Sequence, residues 1–161
     1  FARRIGAAEE EAFFTGNGTG KPTGLMIAVM MIPNILFAMK CKDGFENHFT
    51  NRWVEFLEQI GRFGCFGFMI FTIPGMALGW VNHSAFAAYL AVDGLLLAAY
   101  CVIWAVGKGR RFRALALSIL PSLLFLFSGV MTRAPLLVLS ALLFAPCHIW
   151  ISITNAKENR R

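Results

Sequence analysis

The chain has 161 residues, of which 57% are apolar and only 15% charged, with 16 Phe and four Trp. Soluble domains typically hold about 45–50% apolar and about 25% charged residues, so this balance excludes a disordered chain, a coiled coil and a collagen-like fibre, and weighs against a soluble enzyme. The net charge of +6 raises nucleic acid as a partner, and the placement of the basic residues along the chain decides that question.

Residues 1–24 are polar and Gly-rich, and long apolar runs begin at Leu25. The stretch Gly16-Asn17-Gly18-Thr19-Gly20-Lys21-Pro22 invites a phosphate-loop reading and fails it. The G-x-x-x-x-G-K-[ST] pattern needs Gly where Thr15 stands, and Ser or Thr where Pro22 stands. Ile5, Ala8 and Ala12 space like one helical face, with Gly16 at the position of a C-cap. Ala8, Glu9, Glu10, Ala12 and Phe13, followed by Gly16, Gly18, Lys21, Pro22 and Gly24, resemble the helix and glycine turn of tailed-phage major capsid proteins with the HK97-like fold. The resemblance covers about 25 residues and none of the rest of a capsid domain. It implies that residues 1–25 are a capsid fragment of separate origin, with Met26 as a candidate start for the apolar part of the chain.

Residues 25–161 read as one helical membrane domain. A crossing needs about 20 mostly apolar residues. The first candidate span is 23–39, interrupted by Pro33-Asn34. In 50–62, Trp53, Phe56, Leu57 and Ile60 fall at i, i+3, i+4 and i+7, while Glu55, Glu58, Gln59 and Arg62 face elsewhere. This predicts a short amphipathic helix at the membrane interface, with Glu58 and Arg62 as an i,i+4 pair. Further spans are predicted at 63–80, 85–106, 114–131 and 134–154, giving an all-α polytopic integral membrane protein of about five transmembrane helices.

The basic residues alternate along this scheme. Lys40, Lys42, Arg52 and Arg62 fall in the first loop, Lys108, Arg110, Arg111 and Arg113 in the third, and Lys157, Arg160 and Arg161 in the tail. The turn at 81–84 has none and the turn before 134 has Arg133 alone. The positive-inside rule then places the N-terminus outside and the C-terminus inside. It also accounts for the +6 without nucleic acid. The expected partners are the lipid bilayer and a second copy or another membrane protein.

Asp93 is the one carboxylate inside a predicted span, eight residues or about 12 Å from its outer end. An ionised group there is expensive and by default marks function; the alternative is a structural hydrogen bond to Tyr89 or to a neighbouring helix. Tyr89 and Tyr100 share its face. His148 lies fourteen residues inside the last span, about 9 Å from Asp93 in depth. A polar layer of Asn34, Thr72, Asp93, Ser122 and His148 is geometrically open, as is the plainer reading that these groups cap carbonyls freed by proline. Gly75 and Gly79 offer one helix-packing face, and Gly61, Gly64 and Gly67 another.

No cofactor is expected. Cys41, Cys65, Cys101 and Cys147 show no metal or disulfide spacing, and neither H-E-x-x-H nor G-x-S-x-G occurs. Ile32-Pro33-Asn34, Leu57-Glu58-Gln59-Ile60-Gly61-Arg62 and Phe144-Ala145-Pro146-Cys147-His148 loosely resemble stretches of small multi-pass membrane proteins of Gram-positive bacteria, a likeness that implies a membrane helical fold and no particular activity. Three functions are therefore carried forward. They are a small transporter or its membrane subunit, an accessory membrane protein that binds partner helices, and an intramembrane enzyme using His148.

Overall fold

The computed structural model describes residues 22–40, 49–71, 78–81, 84–107 and 109–158. Among them are five helices and no strand: α1 (Pro22–Lys40), α2 (Arg52–Ile70), α3 (Ala85–Val106), α4 (Arg110–Met131) and α5 (Pro135–Glu158). The capsid-like segment through Lys21, and the positions of Cys41, Thr72 and Gly75, lie outside the described residues.

Local chemistry sets several of the helix ends. Pro22 and Pro135 open α1 and α5, where a missing N–H costs nothing. Asn51 caps α2 by accepting from the Trp53 N–H at 3.1 Å. Gly109, at φ +90, supplies the backbone that turns the chain from α3 into α4. Between α4 and α5, Thr132 donates its hydroxyl to the Ser128 carbonyl at 2.7 Å, and the Ala134 N–H reaches the Gly129 carbonyl at 2.9 Å.

Two expectations are corrected by the fold. The predicted interfacial helix 50–62 and the predicted span 63–80 are not separate elements. A single helix begins at Arg52 and ends at Ile70, and Phe71 is already extended. Its end falls four residues before Pro74, the position whose carbonyl a proline ring would strike. Gly79 is not on a helix-packing face either: it has φ +79 and open space around it.

Residue contacts give the direction of each helix. Gly61 and Gly64 of α2 meet Phe144 and Ser140 of α5, and Gly129 of α4 meets Val138 of α5. Asp93 meets Ser128 across α3 and α4, while Met26 and Asn34 of α1 meet Tyr89 and Tyr100 of α3. Successive helices therefore alternate in direction. α2 packs on α5, α5 on α4 and α4 on α3, and α1 touches both α3 and α2. The core lies where they converge, around Cys65, Met69, Leu124, Phe125, Leu137, Ala141 and Phe144. Phe125 makes edge contacts with Phe66 and Phe144, each at 5.7 Å.

Helices α3, α4 and α5 are long and apolar enough to cross a membrane. The surface agrees with that setting. Leu95 is 71% exposed, and Phe63, Val102, Leu139 and Leu142 also point outward, while Glu58, Asp93, Ser118, Ser122, Ser128 and Thr132 are buried. Polar groups inside and apolar groups outside suit a bilayer, where lipid supplies no hydrogen bonds.

Candidate functional site

Two polar centres sit toward opposite ends of the bundle. The first belongs to α3 and α4. Asp93 and Ser128 are both 0% exposed, and the Ser128 hydroxyl donates to Asp93 Oδ2. Asp93 Oδ1 is buried with no hydrogen-bond partner. Such an oxygen is costly in an apolar interior unless a proton or another donor comes to it. Thr132 lies one turn beyond Ser128 and bonds to its carbonyl, and the segment 78–81 runs beside it. That segment crosses the α4–α5 turn through Leu78 N–H to Arg133 O and Val81 N–H to Met131 O, both 3.3 Å. Trp80 packs edge-on against Phe86 at 5.2 Å and tilts against Tyr89 at 5.3 Å.

Tyr89 shares the face of Asp93, one turn away, and is fully buried. Its hydroxyl does not bond to Asp93; it points to Met26 Sδ of α1 at 3.3 Å. Asp93 thus finds its partner on the neighbouring helix.

The second centre joins α2 to α5. Glu58 is 3% exposed, although its neighbours on the helix, Trp53, Phe56, Leu57 and Ile60, all point outward. Its Oε1 accepts from Arg62 Nε at 3.1 Å, is paired with the second Arg62 nitrogen, and lies 2.9 Å from His148 Nδ1. A carboxylate can only accept, so Nδ1 stands as the donor. The His148 ring stacks on Phe144, one turn back on α5, at 4.6 Å and 20°. One carboxylate oxygen thus gathers donors from two helices, and a stacked ring fixes the imidazole that supplies one of them.

Of the five residues considered for one polar layer, Thr72 lies outside the described residues, and the other four, Asn34, Asp93, Ser122 and His148, do not gather. Asn34 accepts from the Tyr100 hydroxyl at 3.0 Å and donates to the Met30 carbonyl at 3.2 Å, beside Pro33. Ser122 turns back onto the Ser118 carbonyl of its own helix at 2.8 Å, one turn ahead of the Ser118 bond to Leu115 O at 2.9 Å. Asp93 and His148 keep separate partners. Of the second glycine face, Gly61 and Gly64 pack on α5, while Gly67 faces open space.

Two functional candidates are hidden from sequence reasoning. Ser128 carries no signal beyond being a small polar residue in a span. Glu58 carries one, since its i,i+4 spacing to Arg62 is visible; the hidden part is that this pair turns inward to His148. Among the described residues no three His, Cys, Asp or Glu side chains gather as a metal site would require. Compared with known proteins, the chain matches no family model, no curated protein and no solved structure.

Proposed function

We propose that the chain is a five-crossing membrane protein that acts as a small transporter, or as the membrane subunit of one, with the Asp93 carboxyl as its proton- or cation-binding group. The observation that carries this reading is the Asp93 side chain. It is fully buried in a 22-residue apolar helix, with one oxygen held by Ser128 and the other without a partner. A purely structural carboxyl would be expected to use both oxygens, whereas an exchangeable one keeps a place for the ion it binds.

The alternation of helix directions supports five crossings, because α1 and α2 run the full depth of the bundle beside α3, α4 and α5. Each has 19 residues, about 28 Å of helix, close to the hydrocarbon thickness of about 30 Å. The charges of α2 do not prevent this: Glu58 and Arg62 pair with each other, and the outward face is apolar, Trp53 being 76% exposed. Of the three basic segments, the described residues Lys40, Arg52, Arg111, Arg113 and Lys157 lie at helix ends that meet at one end of the bundle. The positive-inside rule makes that end cytoplasmic, with the N-terminus out and the C-terminus in; a bacterial cytoplasmic membrane is what the likeness to small membrane proteins of Gram-positive bacteria implies. Reporter fusions at 81–84 should then read as outside; a cytoplasmic signal there refutes the orientation.

For Asp93, the measurement is proton flux into liposomes containing the full chain, followed with an enclosed pH dye. The unmodified protein should pass protons under an imposed potential, and Asp93→Asn should abolish the flux. One interhelical hydrogen bond in a membrane is worth about 0.6 kcal/mol, so the Asn variant should stay folded. Equal flux from the Asn variant, with unchanged helical circular dichroism, overturns the transport reading.

The second reading is an accessory protein that binds partner helices through the outward face of α2, where Trp53, Phe56 and Ile60 stand exposed together. Crosslinking in native membranes separates the two: a protein recovered only as a monomer counts against partner binding.

A further inference from the structure

A groove opens at the basic end of the bundle, between the first turns of α4 and the last turns of α5. It has a volume of about 270 Å³ and is lined by Arg111, Phe112, Leu115, Ile153 and Ala156. Neither polar centre reaches it. We propose that this groove is a binding site for one anionic phospholipid, whose acyl chain lies on the apolar wall and whose phosphate meets Arg111.

The composition of the groove argues for an amphiphile with a negative head. Its apolar lining faces outward, with Phe112 60% and Leu115 38% exposed, which in water would be an unfavourable surface. Its charge is concentrated at one edge. Arg110, Arg111 and Arg113 open α4, and Lys157 follows Ala156 in the last turn of α5. Glu158 is the single acidic residue in these turns of sequence. Arg111 and Lys157 are exposed. Arg113 is turned toward α3 instead, its guanidinium 5.8 Å from the Trp104 ring centre. Among the described side chains of these turns, Arg111 and Lys157 are the cations that face out beside the apolar wall.

Position agrees with chemistry. The groove begins at the first residues of a candidate span, Arg111–Met131, and ends near the last residues of another, Pro135–Lys157. That is the depth at which headgroup phosphates meet hydrocarbon. Basic pockets between helices at this level hold anionic headgroups. A neutral lipid would leave the two cations facing only solvent and headgroups, and a free anion would leave the apolar wall bare. One anionic lipid answers both. The inference rests on the membrane setting of the bundle and is independent of transport by Asp93.

The test is native mass spectrometry of the full chain released from nanodiscs that contain phosphatidylglycerol and phosphatidylcholine with identical acyl chains. Phosphatidylglycerol should be retained in preference. Arg111→Gln and Lys157→Gln should each lower that preference by about fivefold, the value of one basic residue near an anionic surface. Ala156→Trp, which fills the groove, should reduce retention of both lipids. If Ala156→Trp does not fold, Arg111→Gln alone decides. Equal retention of the two lipids overturns the proposal, as does an unchanged preference in Arg111→Gln. Displacement of the lipid by inorganic phosphate at matched concentration identifies a free-anion site instead and also overturns it. So does a concentration-dependent dimer that Ala156→Trp abolishes, which would assign the groove to a second copy.

Discussion

Gly61→Ala should destabilise the bundle by about 2 kcal/mol, and Gly67→Ala, two turns away on the same helix, should not. A methyl group at position 61 would meet the backbone N of Phe144 at 2.7 Å and its Cα at 2.8 Å. Backbone atoms cannot rotate away, so α5 as a whole must retreat from α2. At position 64 the nearest atom is the Ser140 hydroxyl at 2.5 Å, which can turn, so Gly64→Ala should cost less. At position 67 nothing stands within 4 Å, and the gain in helix propensity over Gly is worth up to about 1 kcal/mol. Thermal melts in detergent should therefore rank the variants 61, 64, 67, from most to least destabilised. A Gly61→Ala protein that melts with or above the unmodified one would show that α2 and α5 are not in backbone contact. The consequence reaches the polar site. Phe144 carries the ring on which His148 stacks, and Glu58 lies one turn before Gly61, so a retreat of α5 also draws His148 from Glu58.

The helices that composition alone can locate are those whose environment is uniform. Residues 85–106 are predicted and observed with the same ends, and 114–131 and 134–154 match α4 and α5 to within a few residues at each end. Their signal is an uncharged run of the right length, which needs no knowledge of neighbours. Helix α2 defeats that signal. Its charges at Arg52, Glu55, Glu58 and Arg62 divide it on paper into an interfacial helix and a span, yet the backbone is continuous because Asn51 caps it and Glu58 and Arg62 neutralise each other. The sequence does show that Trp53, Phe56, Leu57 and Ile60 share a face. It does not show whether that face turns to a protein core or to lipid, since both are apolar. The polar residues meet the same limit. Asp93 is legible as an expensive carboxyl, but choosing Ser128 over Tyr89 as its partner requires the rotation of α4 against α3. The same holds for His148. Depth arithmetic sets it against Asp93, whereas the antiparallel contact of α2 with α5 gives it to Glu58.

Glu58→Leu is the second large effect expected. Breaking a buried ion pair by removing one partner costs about 3–5 kcal/mol, because the remaining charge is left stranded. Here Arg62 and His148 keep some exposure, which returns part of their solvation, so a loss of about 1–3 kcal/mol is expected. Glu58→Gln should fall between that and the unmodified protein, since an amide oxygen still accepts from both donors but without the charge that strengthens those bonds. The combination separates pairing from packing. If Glu58 holds α2 to α5 through His148, then Glu58→Leu and His148→Leu together should cost clearly less than the sum of the two single changes, with a coupling of about 0.5–3 kcal/mol. Strict additivity would mean that the 2.9 Å contact contributes nothing and that His148 is held only by its stacking on Phe144. Replacing Arg62 as well should recover still more, since a well-packed apolar substitute for a buried charged cluster is often neutral or better. A triple variant that is as stable as the unmodified protein, but altered in proton flux, would place the reason for these three charged and polar residues in activity and not in folding. A triple variant with unchanged flux would confine the activity to the Asp93 centre.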